Sequence, residues 1–146
     1  MILFFVSTLY AQSPFGLKKS DNTTKFEVQI IAKIAKDIVD KDLKIYLIGA
    51  SDEFRELISK ENFITNNCRD ANFIYVAAGS GDNLKHCKNE SAVYFTSDRE
   101  LFEREQKFIG LFYWFKSRPN IIFLAKRLHN HKIALPNMYK RFVEEF

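Results

Sequence analysis

Glycine and proline are scarce, with five and three in 146 residues. That excludes collagen-like and low-complexity chains and leaves little room for long irregular segments. The one glycine-rich stretch, Gly79-Ser80-Gly81-Asp82, lacks the GxxxxGK[ST] and GxGxxG patterns and the lysine that reaches a phosphate, so it reads as a turn and not an anion cradle. Histidine is scarcer still, at three residues, and none stands with an acid and a nucleophile in the order of a recurring triad. A one-signed charge is missing too: 22 basic and 18 acidic residues leave +4. The two signs are interleaved, whereas nucleic-acid binding needs cations gathered on one face. The longest apolar run, near Met1, is about ten residues, too short to span a bilayer.

Apolar residues, in contrast, are plentiful, at 47% with fifteen Phe. A chain of this size and composition is ordered, buries one sizeable core and forms one domain. Lys107 to Leu128 organises it: KFIGLFYWF, then KSRPN, then IIFLAKRL. Both arms favour the extended state. Alternation points Ile109, Leu111, Tyr113 and Phe115 one way and Phe108, Phe112 and Trp114 the other. Neither face is polar, so the hairpin belongs inside a sheet covered on both sides. Pro119, which has no amide hydrogen, is expected in the turn with Ser117, Arg118 and Asn120.

At the amino end, MILFFVSTLYAQ has the late part of a secretory signal, without a preceding basic segment. The reading is an export signal over residues 1–11, cut after Ala11; an ordinary buried strand is the alternative. Residues 12–22 lack periodicity and read as a leader, leaving 23–146 as the domain. Thr24 and Glu27 fit a capping box that opens a helix through Val39, with Phe26, Ile30, Ile31, Ile34, Ala35 and Ile38 inward. Strands are expected at Leu43 to Ile48, Asn72 to Ala77 and Ala92 to Phe95. A helix opens at Ser51, a second capping box at Ser97-Asp98-Arg99-Glu100 opens another, and a closing helix runs from about Pro136 to Glu145 with Met138, Phe142 and Val143 inward. The fold class is α/β: a single layered domain with a mixed sheet covered by helices, a C-terminal antiparallel β-hairpin and a closing helix.

Two cysteines, Cys68 and Cys87, bracket a strand and a turn. In an exported chain they would be bridged, closing a loop of about 20 residues for roughly 3 kcal/mol. The alternatives are two free buried thiols, or a zinc site from Cys87 with His86, His129 and His131, whose spacing matches no known cluster. Glu100 and Glu103 share a helix side and could pair as acid and base. A solvated charged face explains them better, and no catalytic set stands out.

Several motifs in order resemble the YfiR-like family of small exported proteins. They are Phe26 to Val39, Lys44 to Gly49 with Phe54, Cys68 before Asn72 to Val76, Ser97-Asp98 with Phe102, Phe108-Ile109-Gly110, Arg118, Ile121 to Phe123, Arg127-Leu128 and Ile133-Ala134-Leu135-Pro136. Two departures stand out. Ile109-Gly110 replaces a glycine pair, and Tyr46 replaces a cysteine in the first strand, which leaves Cys87 as the partner for Cys68. The resemblance implies a periplasmic, non-catalytic protein without cofactor or metal. Its function is expected to be docking on and regulating a membrane-bound partner, as a family member restrains a cyclic-di-GMP synthase from outside. The alternative is a structural scaffold subunit of an envelope-spanning assembly such as a motor or secretion complex. No nucleic-acid partner and no bilayer-spanning segment in the mature chain are expected, and self-association stays open. Partner contact is expected at the polar hairpin turn, through Lys116, Arg118 and Asn120, since loops on a rigid scaffold carry recognition and Arg concentrates binding energy.

Overall fold

The computed structural model describes residues 16–61 and 63–145, with side chains described from residue 23. The expected export signal lies outside the described residues. Among the described residues six strands form one mixed sheet in sequence order: β1 (Ile45–Ile48), β2 (Phe73–Val76), β3 (Val93–Thr96), β4 (Phe108–Phe115), β5 (Arg118–Leu124) and β6 (Val143–Glu144). The first four are parallel, β5 returns antiparallel to β4, and β6 lies parallel to β5. The helices are α1 (Gly16–Ile38), α2 (Asp52–Ser59), α3 (Arg99–Arg104) and α4 (Ala125–Asn130).

Strand alternation divides the core into two layers. Against α1, α2 and the closing turn pack Ile45, Leu47, Phe73, Tyr75, Phe95, Phe112 and Phe123. On the opposite face Ile74, Val76, Tyr94, Phe108 and Leu111 meet Leu84, Cys87, Leu101 and Phe102. The sheet is therefore covered on both faces, as the two-sided apolar strands require. Cys68 and Cys87 form a disulfide on this second face, with their Cα atoms 5.7 Å apart.

Several expectations are corrected by the packing. α1 starts at Gly16, inside the supposed leader, because no proline breaks the run and extending a formed helix costs little per residue. Glu27 does not cap Thr24; its carboxylate accepts the Tyr75 hydroxyl hydrogen bond. Phe26 is 52% exposed while Ile31 is fully buried, since five residues of helix place them roughly 140° apart. Asp98, not Ser97, caps α3, accepting from the Leu101 amide at 2.9 Å.

In β4 the expected alternation breaks once. Tyr94 pairs with Phe108 but Phe95 pairs with Gly110, so Ile109 is the extra residue of a bulge. That moves Ile109 to the Phe112 and Trp114 side and leaves Leu111 and Tyr113 with Phe108. Pro119 is not in the turn. It is a β5 residue opposite Trp114, and it sits where the ladder alternation turns its nitrogen outward, away from β4. The second arm ends at Leu124 and becomes α4, because Ala125, Lys126, Arg127 and Leu128 are all good helix formers. The closing helix is a 3-10 turn, Asn137–Phe142, running into β6. Tyr139 is its buried anchor and Met138 is 56% exposed.

Candidate functional site at the hairpin end

Between β4 and β5 only Lys116 and Ser117 are unpaired, and Phe115 faces Arg118 as the closing pair. Both turn residues have positive φ, 51° and 64°, the conformation that a two-residue hairpin needs to match strand twist and that Asn-Gly adopts most easily. Without glycine, each residue carries left-handed strain of about 1 kcal/mol or more. The turn is thus held in place by the paired strands beneath it.

Phe115 is 58% exposed, with the Lys116 ammonium 5.4 Å from its ring centre. Lys116 and Arg118 are exposed, and Arg118 forms no ion pair among the described residues. Asn120 is half-buried and its amide donates to the Arg118 carbonyl at 3.1 Å, so it braces the strand. Of the three expected contact residues, two are presented outward and one supports them. Phe115 is the residue that sequence reading misses; alternation assigns it a face but cannot say where the covering layers stop.

Beside this end runs an apolar groove of about 210 Å³, lined by Ile30 and Lys33 of α1, Pro119 and Ile121 of β5, and Tyr139 and Phe142 of the closing turn. β6 pairs with Phe123 and Leu124, so among the described residues the preceding part of β5 is a sheet edge. Pro119 guards that edge by removing one amide. Tyr139 donates to Asp37 at 2.5 Å, which ties the closing turn to α1.

The ends of the parallel strands, where α/β proteins often bind ligands, are occupied by the chain itself. Ser97 Oγ accepts from the Ala78 amide at 3.1 Å and Asp98 Oδ2 from the Gly79 amide at 2.9 Å. Thr96, fully buried, donates to the Val76 carbonyl and accepts from the Asp98 amide. A Cβ on Gly49 would fall 1.6 Å from Ser80 Oγ, so these loops close directly on one another. Glu27 beneath them has its pKa raised by burial, against the lowering effect of the Tyr75 hydrogen bond. Tyr75 is pushed well up, chiefly by burial and then by the Glu27 charge.

Cys68, paired with Cys87 as expected for an oxidising compartment, lines a groove together with Arg69, Lys85, His86 and Lys88. His129 and His131 are exposed, with His131 Nε2 3.4 Å from the Gln106 carbonyl. Among the described residues no three His, Cys, Asp or Glu side chains gather as a metal site, and no helix is long and apolar enough to cross a membrane. Compared with protein-family models, with curated proteins and with solved structures, the chain matches none.

Proposed function

We propose that this chain is a non-catalytic periplasmic interaction protein of the YfiR-like kind, which docks on a membrane-bound partner through the end of its β4–β5 hairpin and biases that partner's state. The supporting observation is the hairpin end itself: exposed Phe115, the cations Lys116 and Arg118, and no ion pair to Arg118 among the described residues, all on a turn strained by two non-glycine residues. An exposed aromatic beside an unpaired arginine is the composition in which interfaces concentrate their energy. Arginine's planar fork suits a carboxylate on the partner. The disulfide supports the exported setting. Regulation further requires that the partner's two states differ in affinity for this surface.

A photo-crosslinking residue at Ser117, introduced into the chain in its native host, tests the reading. The expected product is one membrane protein linked through its periplasmic part, absent when the same group is placed at exposed Lys60. A stoichiometric multi-subunit assembly in its place favours the scaffold alternative. Equal products from both positions contradict docking at the hairpin.

A further inference from the structure

On the sheet face opposite α1, a groove of about 470 Å³ lies between α3 and the start of α4. Its floor is apolar, from Leu111 and Tyr113 of β4 and Ile122 of β5. Its charged lining is Arg99, Lys126 and Arg127 against a single carboxylate, Glu103. No residue of the hairpin turn lines it, so the groove is a separate place from the hairpin end.

Arg127 is the informative residue. It is 5% exposed, and its guanidinium sits 4.7 Å from the Phe102 ring centre. Nη1 donates to the Phe102 carbonyl at 2.7 Å and to the Phe108 carbonyl at 2.9 Å. Among the described residues no carboxylate pairs with it, and its Nε and Nη2 hydrogens have no protein acceptor there. A buried arginine is ordinarily paired, because an uncompensated charge in a dry site is costly. Desolvation holds this guanidinium's pKa below its usual value. Arg127 is itself a lining residue of the groove. Arg99 is fixed nearby, stacked 4.9 Å from the Tyr113 ring centre.

We propose that this groove binds an amphipathic monocarboxylate. The carboxylate takes the Nε and Nη2 donors of Arg127 with Arg99 and Lys126 flanking, and the hydrocarbon body lies on Leu111, Tyr113 and Ile122. A planar fork with two adjacent free donors matches a planar carboxylate. The apolar floor selects a molecule with a hydrocarbon body, and the groove lies within the usual size range of about 300–1,000 Å³. Glu103 at the lining works against a second negative charge on the ligand.

The test titrates the full chain with decanoate below its micelle threshold, following side-chain and Arg Nε–H signals by NMR, with decan-1-ol and decyltrimethylammonium in parallel. Decanoate should give saturable shifts at Leu111, Tyr113, Ile122 and Arg127. Decan-1-ol should bind at least about tenfold more weakly, the loss expected for a charge-assisted contact, and the cationic amphiphile should not saturate. Arg127→Lys perturbs a buried group and can unfold the chain, so the deciding variant is Arg99→Gln with Lys126→Gln, both exposed. That pair should weaken decanoate by about tenfold, while Glu103→Gln should tighten it. Decan-1-ol binding as tightly as decanoate, shifts confined to other parts of the sheet, or unchanged affinity in the exposed double variant each overturn the proposal.

Discussion

Replacing Gly110 by alanine should destabilise the domain, although alanine is favoured over glycine in a strand by roughly 0.5–1 kcal/mol. A Cβ at this position would lie 2.4 Å from Phe95 Cε2 and 2.9 Å from both Phe95 Cδ2 and Phe123 Cδ1. Carbon atoms pack at about 3.5–4.0 Å, so one ring or the β4 backbone must move by roughly 1 Å. Neither ring has space to retreat. Both are fully buried; Phe95 is backed by Phe73 at 6.3 Å between ring centres and Phe123 by Tyr139 at 5.9 Å. Overpacking of this kind costs about 1–3 kcal/mol, and the upper half of that range is expected because two aromatic neighbours are displaced. Net of the strand preference, the loss should be about 2 kcal/mol. Urea unfolding should report it as a lower midpoint with an unchanged slope, and thermal unfolding as a fall of roughly 6–10 °C. Adding Phe95→Leu should make Gly110→Ala markedly less costly, because the two Phe95 ring atoms that Cβ would strike are gone and only Phe123 Cδ1 remains, so the two changes are coupled. An unchanged midpoint for Gly110→Ala, or a strictly additive double variant, would refute the argument that these rings fill the space glycine leaves.

Three other outcomes are expected. Lys116→Asn with Ser117→Gly should raise stability by about 1 kcal/mol, since Asn-Gly relieves the left-handed strain; chemical denaturation checks it, and a loss would mean that these side chains hold the turn. Denatured protein without reductant should take up no thiol label, and Cys68→Ser with Cys87→Ser should lose about 2–5 kcal/mol by urea unfolding. Glu27 binds its proton more tightly folded than unfolded, so between its ordinary pKa of 4.5 and its raised folded value the native state carries the extra proton and stability should fall as pH rises. Glu27→Gln should flatten that part of the stability profile, and an unaltered profile would show that Glu27 is not its source.

The α/β class, the disulfide pairing and the hairpin are legible in the sequence because each rests on local signals: strand-forming runs bounded by turn residues, and two cysteines with one way to pair. What stays hidden depends on neighbours distant in sequence. The bulge at Ile109 stands beside Gly110, against which β3 and β5 both press a ring, and no period within β4 reports that. The missing amide of Pro119 points to the turn, a rule that misleads when, as among the described residues here, no strand pairs with the far side of that position. The spacing of Glu27 to Thr24 points to a cap, whereas a tyrosine on β2 claims its carboxylate. The candidate site follows the same division. The polar turn residues Lys116 and Arg118 are legible, while exposed Phe115 and the free donors of Arg127 depend on where covering layers end.

The central claim, that the hairpin end is the docking surface, is tested most directly by Arg118→Ala. With the crosslinked partner's periplasmic part in hand, titration of correctly folded variant and parent should differ by about 1–3 kcal/mol, a loss of hot-spot size. Circular dichroism melts should coincide, because Arg118 forms no ion pair among the described residues. A lower melting temperature with unchanged affinity per folded molecule would contradict the account: Arg118 would then hold the hairpin, and the partner would dock elsewhere.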